Sequence, residues 1–259
     1  MIAKPDLIEG MVKGMAVLES FDTERQRLNA TLAAQRAGIT RAAARRHLLT
    51  LAHLGYLDTD GRYYWLSSKV LRFSGSYLAS AQLPRLLQPT LERLAAQTQG
   101  AFSAVVLNGA EVVIIARSGN PRPAADGLPA LRAYGLHLGA RLPAHATSTG
   151  RVLLAAMPRP QLTQWLQQHP LTRLTVHTVT TAAQMRRVIE QVRTDDCCFS
   201  SEEHELGVHA LAVPLRNPQG QTLAALNVVG STARVSEATM RRDFLPLMLE
   251  AARELRALL

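Results

Sequence analysis

The sequence predicts an α+β fold, with a small helical module and a two-stranded wing preceding a larger mixed domain. Three observations predict it. Apolar residues keep a helical period through 7–54, interrupted by a glycine turn at Gly38. Two strand-like runs then straddle Asp60-Gly61. Beyond Gly100, β-rich segments meet at Asn108-Gly109 and around 218–220, with helical stretches between and after them.

Each element has its own signal. Asp6 is placed to cap a first helix, with Leu7, Met11, Met15 and Leu18 on its apolar stripe and Phe21 at its end. Asn29 caps a second helix to Ala37, with Leu32 and Ala33 inward. Gly38 supplies the positive φ that ends it, and Ile39 plugs the turn. Thr40 caps a third helix, 41–54, and Gly55 stops it. "YLDTDGRYYWLS" is a hairpin attached directly to that helix, so 1–66 reads as a winged helix-turn-helix domain. Residues 67–82 look like a linker helix. Pro84 and Pro89 each suit a first helical turn, so the linker region extends over 67–99. In 100–259, "AFSAVVLNG" and "AEVVIIARSG" form one hairpin, and "HALAVPLRN" and "QTLAALNVVG" a second. "LRAYGLHLGARLP" reads as a strand, and "TSTGRVLLAAM" as a capped helix. Residues 160–168 and 182–194 are further helices, and 236–259 is one long closing helix. Mixed antiparallel sheet and flanking helices make a sensor-like α+β domain.

The charge pattern points to a polyanion. The chain of 259 residues carries a formal net charge of +9. Within 25–57 stand Arg25, Arg27, Arg36, Arg41, Arg45 and Arg46, with no Asp or Glu among them. A merely solvated face mixes both signs, whereas this run favours nucleic acid. On the third helix, Leu48, Ala44, Leu51 and Ala52 fall on one side. Ala42, Ala43, Arg46, Thr50 and His53 fall on the other, with Arg45 at the flank and Arg41 in the first turn. A helix entering the major groove needs small residues for close approach and a few long donors. Thr40, Arg41, Ala42, Arg45, Arg46, Thr50 and, on the wing, Arg62 are therefore the candidate DNA contacts. Their guanidinium groups either read guanine or neutralise phosphate. A helical hairpin in a protein-interaction domain is the other reading of the same pattern.

These residues carry a resemblance. The chain resembles the IclR family of bacterial transcriptional regulators over nearly its whole length. "VKGMAVLESFD" resembles the family's first helix, and "ATLAAQRAGITRAAARRHLLTLAHLGYL" its helix-turn-helix. "GARLPAHATSTGRVLLAAM" and "EEHELGVHALAVPLRNPQGQTLAALNVVGS" resemble the two signatures of its effector domain. "KVLRFSGSYLASAQLPRLLQPTLERLAAQT" further resembles the branch controlling protocatechuate and 4-hydroxybenzoate catabolism. The resemblance implies a GAF-like effector-binding and oligomerisation domain over 100–259. It implies double-stranded operator DNA as partner, and a homodimer or a dimer of dimers. It also implies a small-molecule effector, an aromatic carboxylate.

The site of that effector has a physical signal of its own. In "PAHATSTGRVLL", Pro143 and Gly150 bracket a turn into a helix whose first amides, near Thr147, Ser148 and Thr149, attract an anion. Plain capping by Thr147 or Ser148 accounts for the same residues without a ligand, and the two coexist. Carried over from the resemblance, Leu131, Tyr134 and Leu142 form an apolar wall, Ser148 and Thr149 donate to the anion, and Ser200, Ala210, Asn227 and Val229 lie opposite. The apolar Ala210 and Val229 suit an aromatic ring better than a small aliphatic or keto acid, which is the alternative effector class. His137, Arg141, His145 and His209 are candidate partners for a ligand carboxylate or hydroxyl.

Other classes find little support. No G-x-S-x-G elbow surrounds Ser148, no H-E-x-x-H or nucleotide-binding glycine motif occurs, and an enzyme is not expected. Cys197 and Cys198 are adjacent and form neither a C-x-x-C pair nor a disulfide framework. A metal held by His204, His209 and a cysteine has weak spacing, so no metal or cofactor is expected. No apolar run approaches membrane-spanning length, and Lys4, Asp6, Glu9 and Lys13 interrupt any leader pattern, so a cytoplasmic location without membrane contact is expected. A winged-helix sensor acting through protein partners remains the rival to a DNA regulator.

Overall fold

The computed structural model describes residues 6–22, 25–118 and 136–259. Packing divides the chain into two compact units, Met1–Ser80 and Ala81–Leu259.

The first unit contains α1 (Glu9–Leu18), α2 (Ala30–Ala37), α3 (Arg41–His53), β1 (Leu57–Thr59) and β2 (Tyr64–Leu66). Local chemistry sets its turns. Asn29 Oδ1 accepts from the amides of Thr31 and Leu32 at 3.0 Å each. Gly38 adopts φ 65°, a left-handed conformation that side chains resist, and so turns the chain out of α2. Thr40 Oγ1 then accepts from the Ala43 amide and starts α3. At the wing tip Asp60 Oδ1 accepts from the amides of Arg62 and Tyr63. Leu28 and Tyr64 exchange two backbone hydrogen bonds, which tie the segment before α2 to the wing. Val17, Leu28, Ala33, Ala44, Leu48 and Leu57 form the core.

The first helix departs from expectation. Asp6 does not cap it; Ile8 stands at the N-cap without a side-chain bond. Leu7, Met11 and Met15 are exposed, and Val17 is the buried residue of α1. The Gly14 side of α1 faces α3: a Cβ on Gly14 would sit in ordinary contact with the His47 ring, at 3.5 Å. Helix α3 meets the Gly14–Val17 side of α1; of the expected stripe Leu18 packs against this core, while Leu7, Met11 and Met15 do not.

The stretch expected as one linking region, 67–99, is two helices that differ in packing. Ser67 caps a short 3-10 turn that leads into α4 (Leu71–Ser80), of which no residue is buried. Ala81 is extended, and α5 (Gln82–Thr98) belongs to the second unit. It buries Pro84, Leu87, Leu91 and Leu94. Pro84 occupies the first turn, but Pro89 lies inside the helix. An interior proline forfeits an amide bond, and the leucines packed on either side of it keep the helix continuous.

The second unit is built on a six-stranded antiparallel sheet in the order β5-β4-β3-β8-β7-β6. The strands are β3 (Ala101–Asn108), β4 (Glu111–Arg117), β5 (Arg141–Pro143), β6 (Cys198–Ser201), β7 (Val208–Arg216) and β8 (Thr222–Ser231). Successive side chains leave opposite faces of a strand. On one face Phe102, Ala104, Leu211, Val213, Leu226 and Val228 pack with α5 and the closing helix. On the other, Val105, Ile114, Ala212 and Ala225 pack under α6 (Ser148–Ala155), α7 (Arg159–Gln168) and α8 (Ala182–Asp195). Each fully buried aliphatic side chain contributes about 1.5–3 kcal/mol, so both faces are strongly held.

Two further expectations change. The strand expected through 131–143 is three residues long, Arg141–Pro143, within the described residues. The closing helix is interrupted: α9 (Glu237–Thr239) passes through a π-turn, Met240–Phe244, into α10 (Leu245–Leu255). Pro246 has no amide to give to Arg242, and a wider turn relieves the loss.

Candidate functional site

The start of α6 is shaped by its neighbours. Thr147 Oγ1 accepts from the Gly150 amide at 3.2 Å. A Cβ at Gly150 would lie 2.1 Å from the Ala144 carbonyl oxygen, so only glycine lets the preceding 3-10 turn, Ala144–Ala146, lie against the helix. The first amides of α6 have no intrahelical acceptors and face outward along the axis. Ser148 and Thr149 are 1% and 3% exposed.

Beside them opens a cavity with about 590 Å³ of atom-free space, its mouth included. Ser148 and Thr149 line it from the helix; Leu142, Ser200, Ala210, Asn227 and Val229 line it from the strands. Leu131 and Tyr134 lie outside the described residues. Sequence reasoning missed Ser103, Val105, Ile114 and Val208, which complete the sheet wall, and Leu136 and Ala146 beside them. It also missed 203–205, which form another wall. The signal for Ser103 was available: a lone hydroxyl stands in the apolar run "AFSAVVL".

The polarity of this wall is unsatisfied. Ser148 Oγ and Asn227 Oδ1 are buried and have no hydrogen-bond partner among the described residues. A buried polar group without a partner costs about 1–3 kcal/mol, so two around one cavity point to a ligand that serves them.

The expected partner residues lie elsewhere. Arg141 pairs with Glu111 on the surface, and His137 is exposed. His145 Nε2 lies 2.9 Å from the Thr172 carbonyl. The His209 ring lies tilted against Phe199, centroids 5.2 Å apart, on the sheet face away from the cavity. His204 faces the cavity while His209 does not. Among the described residues no three His, Cys, Asp or Glu side chains converge on a metal position. Burial pushes the Cys198 thiol up to about 12.

From the Glu203 wall of the cavity inward runs a charge pair that sequence reasoning did not find. Arg151, 2% exposed, holds both carboxylate oxygens of Glu203. Its Nε also donates to the His145 carbonyl at 2.9 Å. Glu203 accepts in turn from the Val179 amide, and its carbonyl accepts from Thr178 Oγ1. Four separate segments are thus joined at one buried guanidinium. Burial lowers the His145 pKa, opposed by its contact with the Thr172 carbonyl and reinforced by the nearby Arg151 charge. Burial lowers that of His204 as well, helped by His145.

On the first unit, Thr40, Arg41, Ala42, Arg45, Arg46, Thr50 and Arg62 are all exposed. Thr40 Oγ1 is engaged as a cap, and Thr50 Oγ1 donates to the Arg46 carbonyl. The unneutralised charge is narrower than the sequence suggests. Arg27 pairs with Asp60, and Arg36 with Asp22, through tertiary contacts that a linear count misses. Arg41, Arg45 and Arg46 keep no ion pair among the described residues.

Comparison with known proteins follows the same two-unit division. Residues 11–61 match the IclR helix-turn-helix domain, and residues 75–257 match the bacterial transcriptional regulator IclR C-terminal domain. The chain is 50% identical over 258 residues to the Pca operon regulatory protein of Acinetobacter baylyi, covering 100% of this chain and 91% of that one. It is 51% identical over 257 residues to the p-hydroxybenzoate hydroxylase transcriptional activator of the same organism, covering 99% and 94%. Among solved structures, an inducer-binding domain of a transcription factor from Acinetobacter, a double mutant in complex with 3-hydroxybenzoic acid, superposes with a TM-score of 0.63. It shares 46% identity, covering 69% of this chain and 100% of that one.

Proposed function

The chain belongs to the IclR family of bacterial transcriptional regulators, and from that premise we propose that it governs genes of aromatic acid catabolism in response to a small aromatic carboxylate. One observation carries the reading: Ser148 Oγ and Asn227 Oδ1, buried and unpartnered, line a cavity whose sheet side is mainly apolar through Val105, Ile114, Leu142, Val208 and Val229, with Glu203, His204 and Glu205 confined to another wall. A carboxylate gains charge-assisted hydrogen bonds from Ser148, Thr149 and the first amides of α6. A ring fills the apolar volume, which a small keto acid leaves open while Asn227 stays unserved. The names of the two Acinetobacter relatives and the hydroxybenzoate in the related domain agree with this class.

The output is operator DNA. Arg41, Arg45 and Arg46 meet phosphates and base edges from α3, Ala42 lets the helix approach, and Arg62 extends the contact from the wing. A homodimer presents two such modules about 34 Å apart or at a multiple of it, to match successive turns of the duplex. Effector binding shifts the paired modules between arrangements through a coupling of about 1–3 kcal/mol. A DNA target fits a cytoplasmic location.

Titration calorimetry tests the effector class. Hydroxybenzoates are expected to bind the parent protein and to bind Ser148→Ala at least tenfold more weakly, with gel-shift affinity for the flanking operator unchanged in the absence of effector. Binding of aliphatic keto acids in preference to hydroxybenzoates, or an unchanged constant for Ser148→Ala, overturns the reading.

A further inference from the structure

The sheet floor of the cavity has its own polarity, separate from the helix wall. Ser103 on β3 and Asn227 on β8 are register partners, so their side chains leave neighbouring strands side by side on the same face. Ser103 is 3% exposed and Asn227 8%. Both line the cavity, and neither side chain makes a hydrogen bond among the described residues. Toward β7 and β6 the row continues with Ala212 and Cys198, which bring no strong donor or acceptor. Toward β4 it meets Arg117, at the strand's end and outside the cavity lining. Along this row the floor therefore holds one polar pair at its centre; its other hydroxyl, Ser200, stands in the next row, out on β6.

The chemistry of the pair is specific. Asn227 Oδ1 only accepts, so it needs an O–H or N–H from the ligand. A carboxylate has none to give. The Ser103 hydroxyl both donates and accepts. A single ring hydroxyl completes both residues: it donates to Asn227 Oδ1 and accepts from Ser103. The carboxylate is held at the start of α6 on the helix wall, so the hydroxyl that reaches the floor sits away from it on the ring.

We propose that Ser103 and Asn227 form a hydroxyl-selecting subsite, which orients the effector with its acid on α6 and a meta or para ring hydroxyl on the sheet. The inference rests on the aromatic-carboxylate reading above and extends it to selectivity. The pair works in both directions. It rewards a ligand hydroxyl with two hydrogen bonds, and it disfavours the unsubstituted ring, which seals two polar groups against hydrocarbon.

The experiment is a matrix of ligands and variants read by titration calorimetry. For the parent protein, 4-hydroxybenzoate is expected to bind about 10- to 100-fold more tightly than benzoate. 2-Hydroxybenzoate, whose hydroxyl sits beside the acid, is expected to bind like benzoate. Ser103→Ala lowers affinity for 4-hydroxybenzoate about tenfold and does not weaken benzoate, which no longer seals that hydroxyl. Ser103→Ala combined with Asn227→Leu, which makes the floor apolar, tightens benzoate and weakens 4-hydroxybenzoate, so that their order narrows or inverts. Circular dichroism of each variant checks folding, and Ser103→Ala alone decides the outcome if the double variant is unstable. Equal loss of both ligands in Ser103→Ala, or no loss, overturns the subsite. Equal parent affinities for benzoate and 4-hydroxybenzoate also overturn it and leave the aromatic-carboxylate reading standing. Binding of no aromatic acid removes both.

Discussion

Glu203→Gln is the substitution that most directly weighs the buried charge pair. Side-chain exposure is 2% for Arg151 and 12% for Glu203, so solvent screens neither group well. Removing one partner of such a pair leaves a buried charge uncompensated and costs about 3–5 kcal/mol. Glutamine keeps the shape and one acceptor, which places the loss near the lower end, about 3 kcal/mol. For a unit of this size each kcal/mol moves the midpoint by about 2–4 °C, so melting should fall by about 6–12 °C. The control is Arg151→Met with Glu203→Gln. It removes the stranded charge but also the bond from Arg151 Nε to the His145 carbonyl, worth about 1 kcal/mol. The double variant should therefore melt above the single one and below the parent. Differential scanning calorimetry at pH 7.5 reads all three. A Glu203→Gln midpoint within about 2 °C of the parent, less than 1 kcal/mol on that scale, refutes the reasoning. So does a double variant less stable than the single.

Other perturbations test the remaining parts. Replacing Arg45 and Arg46 by alanine should weaken operator binding and flatten its dependence on salt by about 0.9 in log–log slope for each phosphate no longer neutralised; fluorescence anisotropy at several ionic strengths measures it, and an unchanged slope excludes phosphate contact by these two. Gly150→Ala should destabilise the second unit and abolish effector binding, because its Cβ would meet backbone at 2.1 Å; a variant with parent-like melting and affinity contradicts the close approach. Acidification should destabilise the protein through His145 and His204, whose folded-state pKa values both lie below the ordinary value near 6.5. Above that value neither state is charged and the contribution is constant. Below it the unfolded chain takes up protons that the folded chain refuses, so stability falls with pH. His145→Gln and His204→Gln should each flatten the decline of the midpoint between about pH 7 and pH 5.5, the range that brackets an ordinary histidine, and an unaltered slope in both counts against this account.

Much of the fold was legible because its signals are local. Asn29, Gly38 and Thr40 act on their own backbone, and their geometry is where the residue types place it. Both long hairpins were legible through alternation and turn residues. What stayed hidden depends on contacts far apart in sequence. Which side of α1 packs depends on its meeting with another helix, where Gly14 faces His47, and no apolar count reveals that. The compensation of Arg27 by Asp60 and Arg36 by Asp22 is likewise tertiary. Strand β6 escaped notice because "CCFSSEE" is short and only half apolar; its pairing with β7 makes it a strand. In the cavity, the helix wall had a local signature, a capped turn with glycine. The floor and the Arg151–Glu203 pair did not, since each requires two distant segments to meet.

The unserved polarity of the floor has a consequence for stability as well as recognition. Ser103 and Asn227 stand side by side on the two central strands, on the face where Val105 and Ala225 are packed in the core. An orphaned buried acceptor costs about 1–3 kcal/mol against a total stability of about 5–15 kcal/mol. Asn227→Leu, close in volume, should therefore raise the effector-free melting midpoint while lowering affinity for a hydroxybenzoate. A structural asparagine, held by partners in the core, would show the opposite sign in the melt. Thermal denaturation of the parent and Asn227→Leu, each with and without saturating 4-hydroxybenzoate, separates the two. The expected pattern is a more stable variant without ligand and a smaller ligand-induced gain; a less stable variant shows that Asn227 supports the fold and is not kept for a ligand.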